Sequence, residues 1–87
     1  MKSELTIDED GTKEWKLPNS DYHREDGLAI EFIDGDKFWY INGLRHREYG
    51  PAIEWEDGDK AWYLDDIHYT KINYKYEIRS RKLKQLL

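Results

Sequence analysis

Residues 22–32 read YHREDGLAIEF, and residues 45–55 read RHREYGPAIEW. The agreement continues beyond them, because residues 34–41 read DGDKFWYI and residues 57–64 read DGDKAWYL. The offset is the same in both pairs of stretches, from position 22 to position 45 and from position 34 to position 57. A constant offset of this length indicates tandem units of one structural type, each too small to bury its apolar face alone.

Degenerate copies are expected at both ends of such an array. A weaker first copy is present in DGTKEW at residues 10–15, and a partial last copy at Tyr76-Glu77-Ile78. The sequence therefore predicts a β-repeat domain over residues 1–78, with a degenerate first unit, two full units and a partial last unit. Residues 79–87 are expected to form a basic tail or a short helix, because Leu83, Leu86 and Leu87 have helical spacing.

Each unit has the pattern of two strands joined by a tight turn. Asp-Gly at 10–11, 34–35 and 57–58 and Asn-Gly at 42–43 predict two-residue hairpin loops with positive φ at both central positions. The predicted fold is mainly β, a single antiparallel β-meander built from tandem hairpins of about 23 residues. In this register Ile30 lies opposite Trp39, and Trp39 lies opposite His46.

Strand alternation divides the predicted sheet into two faces. One is a packed apolar face, which curling, the C-terminal tail or a second copy must cover. Its expected members are Ile30, Phe32, Trp39, Ile41, Ile53, Trp55, Trp62, Leu64, Tyr76 and Ile78. The other face is expected to combine carboxylates with aromatic rings, from Glu31, Phe38, Tyr40, Glu54, Tyr63 and Glu77.

Composition limits the class of protein. The 87 residues allow one small domain, and 4 Trp, 7 Tyr and 2 Phe give it large apolar side chains to bury. There is no cysteine, which favours a reducing cytoplasm, and neither a signal sequence nor a membrane span is expected. Residues 1–78 carry 10 basic and 19 acidic side chains, a net charge of −9, so the body is not expected to bind nucleic acid directly.

The unit NGLRHREYGPA at residues 42–52, followed by Asp57-Gly58 and an aromatic strand, resembles the MORN repeat family. It is more similar still to the short His-Arg-x-x-Gly-Pro-Ala repeat proteins that are common in phage genomes. The resemblance covers about residues 8–78 and implies β-hairpin units of this length. It departs from the MORN pattern at Arg24 and Arg47, where MORN repeats place Gly directly after His.

Several residues invite a chemical role. His23 and His46 suit a metal or acid–base site, but their recurrence at one position of the unit favours a framework role. The Asp-Gly-Asp turns at 34–36 and 57–59 lack the further oxygen ligands of a calcium loop. No catalytic, cofactor-binding or metal-binding residue is assigned, and an enzyme is not expected.

These observations predict a small acidic protein-binding module. A basic protein, such as a nucleic-acid-binding nuclease complex of a host defence system, is the expected partner. The resemblance to phage repeat proteins implies, as one instance, an anti-CRISPR-like inhibitor acting in the bacterial cytoplasm. The alternative is a structural scaffold that self-associates, for example as a homodimer. The predicted partner-binding residues are Glu31, Phe38, Tyr40, Glu54, Tyr63, Glu77, Asp34, Asp36, Asp57 and Asp59.

Overall fold

The computed structural model describes residues 2–86, which form a mainly β protein with one C-terminal helix. A seven-stranded antiparallel sheet has the order β1-β2-β3-β4-β7-β8-β9, and β5 and β6 form a separate hairpin. The strands are β1 Glu4–Ile7, β2 Lys13–Lys16, β3 Ile30–Glu31, β4 Lys37–Phe38, β5 Tyr40–Ile41, β6 Leu44–Arg45, β7 Ile53–Glu54, β8 Lys60–Leu64 and β9 Ile67–Tyr69. Helix α1 spans Lys71–Gln85.

The Asp-Gly turns are one residue longer than predicted. In the turn between β3 and β4, the N–H of Phe32 donates to the Asp36 carbonyl at 2.9 Å, and the N–H of Gly35 donates to the Phe32 carbonyl at 3.0 Å. The Asp34 carboxylate accepts from the N–H of Asp36 at 3.1 Å, and only Gly35 has positive φ, at 103°. The result is a three-residue loop closed by a glycine bulge, not the two-residue loop expected from the sequence.

The extra loop residue shifts the register of β3 against β4 by one position. Ile30 lies opposite Phe38, so the predicted pairing of Ile30 with Trp39 is wrong. The Asn42-Gly43 turn is different, since both residues have positive φ, 51° and 80°, as predicted for a two-residue loop.

When a strand shifts by one residue against its neighbour, the side chains that were expected on one face of the sheet lie on the other. Each predicted face therefore contains residues from both observed faces. One observed face carries Ile30, Phe38 and Ile53, which lie opposite one another across three strands. Trp39, with Arg47 stacked 3.8 Å from its ring, and Trp62 lie on the opposite face. The buried apolar residues are Ala29, Ile30, Ala52, Ile53, Ala61, Leu64 and Tyr74.

Helix α1 begins at Lys71, so the predicted strand at Tyr76–Ile78 is wrong. Thr70 caps the helix, and its hydroxyl accepts from the N–H of Asn73 at 3.2 Å. Once the helix begins there, Tyr74 and Ile78, four residues apart, lie on one helical face. This helical spacing accounts for residues 74–78 better than the three-residue similarity of residues 76–78 to the strands does.

Tyr74, not the leucines, attaches the helix to the sheet. Its ring is buried, and its hydroxyl donates to the Arg47 carbonyl and accepts from the N–H of Gly50. Leu83 and Leu86 are exposed, so these two leucines do not cover the apolar face of the sheet, which is one of the alternatives that the sequence leaves open for the C-terminal tail. Leu87 lies outside the described residues.

Several hydrogen bonds recur at corresponding positions along the chain. The N–H of Arg24 donates to the Tyr40 carbonyl, as the N–H of Arg47 does to the Tyr63 carbonyl. Both arginine side chains also bond the backbone four residues further on. Further equivalent bonds join Ala29 to Phe38 and Ala52 to Ala61, and Phe32 to Asp36 and Trp55 to Asp59.

Candidate protein-binding surface

The three Asp-Gly turns lie side by side at one end of the strands, along the edge of the sheet that is perpendicular to the strand direction. Each joins an antiparallel pair of neighbouring strands, β1 to β2, β3 to β4 and β7 to β8, so all three reverse the chain at the same end. The N–H of Glu56 in the third turn donates to the Asp36 carboxylate in the second at 2.8 Å. Ile33 Cδ1 of the second turn lies 3.0 Å from a Cβ built at Gly11 in the first, so the three turns form one continuous surface.

This edge concentrates negative charge. We call it the acidic edge, and its eight carboxylates are Asp8, Glu9, Asp10, Asp34, Asp36, Glu56, Asp57 and Asp59. Asp10, Asp34 and Asp57 each accept a backbone N–H two residues on, at 2.9 to 3.1 Å. The N–H of Thr12 lowers the pKa of Asp10 below its ordinary value, because the bond stabilises the ionised carboxylate.

Apolar side chains flank the acidic edge. Ile33 is 72% exposed at the tip of the central turn, and Phe32 and Trp55 are 38% and 37% exposed at equivalent positions of two turns. From Phe32 an aromatic row extends across the sheet. Its ring centroids are 5.5 Å apart from Phe32 to Phe38 and 6.4 Å apart from Phe38 to Tyr40. The surface thus offers both charge and rings that a partner can bury.

The aromatic row ends in a pair of tyrosines. Tyr40 lies 5.3 Å from Tyr22, ring centroid to centroid, and the Tyr22 hydroxyl donates to the Glu14 carboxylate at 2.8 Å. This hydrogen bond to a carboxylate raises the pKa of Tyr22 to about 12. The same hydrogen bond holds Tyr22 in place at the end of the row.

The structure divides the predicted binding residues into two groups. Asp34, Asp36, Asp57 and Asp59 lie together in the acidic edge, and Phe38 and Tyr40 lie in the adjoining aromatic row. Tyr63 is on the same face as Phe38, but its ring is covered by the Arg45 guanidinium, 4.3 Å from the centroid.

Glu31, Glu54 and Glu77 do not lie on the aromatic face, so their predicted position there is wrong. The one-residue shift places Glu31 and Glu54 on the opposite face, in register with lysines of neighbouring strands. This row across the sheet runs Lys13, Glu31, Lys37, Glu54 and Lys60. Glu77 lies on α1, where it accepts from Arg81 at 2.9 Å.

The residues that the sequence prediction missed are the apolar ones beside the turns. The sequence pattern places Phe32 and Trp55 on the packed face and gives Ile33 no role. A signal was available, because Phe32 and Trp55 precede the two Asp-Gly turns at the same spacing. The longer turns extend each hairpin beyond the strand ends and expose these side chains.

The histidines have structural partners. His23 Nδ1 accepts from the N–H of Asn42, and His46 Nδ1 accepts from the N–H of Asp65, both at 2.9 Å. Each imidazole therefore caps the first N–H of a two-residue turn, which supports the framework interpretation. Within residues 2–86, no cluster of three or more His, Asp or Glu side chains has a metal-binding arrangement.

Over the same residues, no helix is both long and apolar enough to span a membrane. Comparisons of the chain with protein-family models, curated proteins and solved structures gave no match.

Proposed function

We propose that the protein is an acidic binding module, not an enzyme, that docks its acidic edge on a basic groove of another protein. The observation that carries this proposal is the alignment of three acidic turns along one edge, with exposed Phe32, Ile33 and Trp55 among them. Charge draws a basic partner in, and the apolar side chains supply contact area once water is excluded.

The spacing of the charges fits a groove that normally holds phosphates. Each hairpin occupies two strands, so successive turns recur about every 10 Å across the sheet. The acidic edge is thus a line of carboxylates about 20 Å long, which resembles the line of charge along a nucleic-acid strand. An anti-CRISPR-like inhibitor of a nucleic-acid-binding nuclease complex, acting in the cytoplasm of a bacterial host, is the form that the resemblance to phage repeat proteins favours.

We further propose that the sheet consists of tandem repeat units, each with one histidine and one arginine in equivalent places. The recurring hydrogen bonds of Arg24 and Arg47 and of His23 and His46 support this arrangement. In each unit the arginine guanidinium also stacks on a tryptophan, at 4.1 Å for Arg24 and 3.8 Å for Arg47. Repetition then explains why the acidic turns are evenly placed, since each unit contributes one.

The experiment compares two variants of equal net charge. In the first, Asp34, Asp36, Asp57 and Asp59 are changed to Asn, which keeps the side-chain acceptor of each turn. In the second, four acids outside the acidic edge, Glu4, Asp21, Asp65 and Asp66, are changed to Gln or Asn. Each is immobilised, and a bacterial lysate is tested for retained nucleic-acid-binding protein and for inhibition of its nuclease activity.

The natural protein and the second variant are expected to retain and inhibit the partner, and added duplex DNA is expected to compete. The first variant is expected to lose both properties. Equal behaviour of the two variants would rule out the acidic edge as the contact surface.

A further inference from the structure

Helix α1 fills a groove that has an open equivalent earlier in the chain. The filled groove lies between the loop at residues 47–50 and the side chains of Trp62 and Leu64. Tyr74 bonds the backbone of that loop, the Lys71 ammonium lies 5.9 Å from the Trp62 centroid, and Leu64 is fully buried.

The open groove has walls of the same kind. We call it the Trp39 groove, a cavity of about 600 Å³ between the loop at residues 24–27 and the side chains of Trp39, Ile41 and His46. Its loop is built like the loop at 47–50. In both, the arginine guanidinium packs close to the glycine, 3.3 Å from a Cβ built at Gly27 and 3.1 Å at Gly50.

The Trp39 groove lacks the group that closes its equivalent. Among the described residues, no side chain bridges the backbone of Arg24 and Gly27 as Tyr74 bridges Arg47 and Gly50. Ile41, which corresponds to Leu64, is only half-buried. The groove therefore presents the Arg24 carbonyl as an acceptor, the Gly27 N–H as a donor and an apolar floor. The filled groove uses the equivalent groups to hold Tyr74 of α1.

Helix α1 has a second face that fits this description. Ile72, Tyr76 and Leu83 lie on its outer side at spacings of four and seven residues, and they are 65%, 68% and 57% exposed. The stripe thus presents a tyrosine between two aliphatic side chains. It is an apolar surface that its own chain leaves in water.

Charge is distributed so that one copy attracts another. Residues 1–70 contain eight basic and eighteen acidic side chains, a net charge of −10, whereas residues 71–86 contain six basic and one acidic, a net charge of +5. The Trp39 groove is lined by Arg24 and Arg47 as well as by Glu25, Asp26 and Glu48, so acids still outnumber bases there. The basic helix of one molecule therefore complements the acidic body of a second, with these three acids beside the groove.

We propose that the protein self-associates by inserting the outer stripe of α1 from one copy into the Trp39 groove of another. Tyr76 of the incoming helix then bonds the backbone of Arg24 and Gly27, as Tyr74 bonds Arg47 and Gly50 within the chain. The contact joins the outer stripe of α1 on one copy to the Trp39 groove on the other. In a dimer with a twofold axis each copy contributes both surfaces, so the contact is made twice. This inference is independent of the acidic edge, which remains free for a basic partner.

The experiment is a charge exchange followed by sedimentation equilibrium over micromolar to millimolar concentrations. One variant carries Glu25→Lys and Asp26→Lys, and the other carries Arg79→Glu and Lys82→Glu; circular dichroism checks that both are folded. Each variant alone is expected to associate at least about tenfold more weakly than the natural chain, because like charges meet in the contact. An equimolar mixture is expected to regain association, because the mixed pair places opposite charges at both contacts.

A matched pair of single variants tests the apolar stripe. Tyr76→Glu is expected to abolish association, whereas Ile33→Glu, at a side chain that is 72% exposed on the acidic edge, is expected to leave it unchanged. A chain that stays monomeric over the whole concentration range would overturn the proposal, as would a mixture of charge variants that fails to associate. If Ile33→Glu loses binding to the basic partner but keeps self-association, the acidic edge and the contact between α1 and the Trp39 groove act independently.

Discussion

At the scale of single residues, the most informative side chains are the two histidines. His23 and His46 accept backbone N–H groups through Nδ1, and their Nε2 atoms lie 3.6 Å from the Glu25 carboxylate and 3.5 Å from the Glu48 carboxylate. The Nδ1 bond of each imidazole positions a two-residue turn.

His46 provides the residue-scale prediction. His46→Ala is expected to lower the free energy of unfolding by about 1 kcal/mol, because the N–H of Asp65 loses its acceptor. His46→Asn places an oxygen near the position of Nδ1 and is expected to lose less. Urea unfolding of the three proteins measures the difference, and each is repeated with a metal chelator. A chelator that destabilises the natural chain but neither variant would contradict the framework role.

At the scale of elements, the length of the Asp-Gly turns determines the faces of the sheet. Asp34 and Asp57 hold their turns through a bond to the N–H two residues on, and Gly35 and Gly58 provide the positive φ that closes each loop. The turn between β3 and β4 therefore holds three residues, and Phe38 comes opposite Ile30. A two-residue turn would place Trp39 there instead.

Two glycines test this account because their surroundings differ. Gly35 has φ of +103°, and a Cβ there would lie 3.1 Å from Glu56 Cγ. Gly58 has φ of +96°, and a Cβ there would meet no described atom within 4 Å. Each glycine-to-alanine change is expected to cost about 1 to 3 kcal/mol of stability from backbone strain. Gly35→Ala is expected to cost more, because Glu56 must also move.

Thermal unfolding of the two alanine variants gives the comparison directly. Equal melting temperatures for both variants would show that the Glu56 side chain moves away from an added Cβ at Gly35 without cost. A variant as stable as the natural chain would show that its turn does not need positive φ at that position.

At the scale of the whole molecule, the separation of charge is the dominant feature. Residues 1–70 have a net charge of −10 and residues 71–86 a net charge of +5, so the sheet is acidic and the helix basic within a chain of net charge −5. The lysine–glutamate row neutralises one face of the sheet across its strands. In the described strand pairs, the carboxylates of the turns have no lysine opposite them, so the negative charge of the sheet is concentrated at the turns.

The whole-molecule prediction concerns the kinetics of partner binding. Raising the salt concentration is expected to slow association with the basic partner, because charge attraction is screened over about 8 Å at physiological ionic strength. Ile33→Ala is expected mainly to speed dissociation, since an apolar anchor acts only in the closed complex. Surface plasmon resonance at two salt concentrations separates the two effects. Association rates that do not respond to salt would contradict steering by the acidic edge.

The sequence by itself determined the β class, the positions of the turns and the alternation within each strand. These depend on local chemistry: Asp-Gly and Asn-Gly favour turns wherever they occur, and neighbouring side chains in a strand point to opposite faces. The sequence places the four turn aspartates, Asp34, Asp36, Asp57 and Asp59, in tight turns, and the structure adds that the second and third turns contact each other. Their charge and their turn position are both readable from the sequence.

Only the tertiary structure decided which residues share a face and how the helix is attached. An Asp-Gly turn with two loop residues and one with three pair the flanking strands in registers that differ by one residue. The hydrogen bonds within each turn and the contact with the neighbouring turn together select the three-residue form. That choice moved Glu31 and Glu54 away from Phe38. The attachment of α1 was likewise decided by a contact 27 residues distant in sequence, from the Tyr74 hydroxyl to the Arg47 carbonyl, although its start at Thr70 is a local cap. Long-range contacts of this kind have no local signature in the sequence, since they exist only once the sheet has formed.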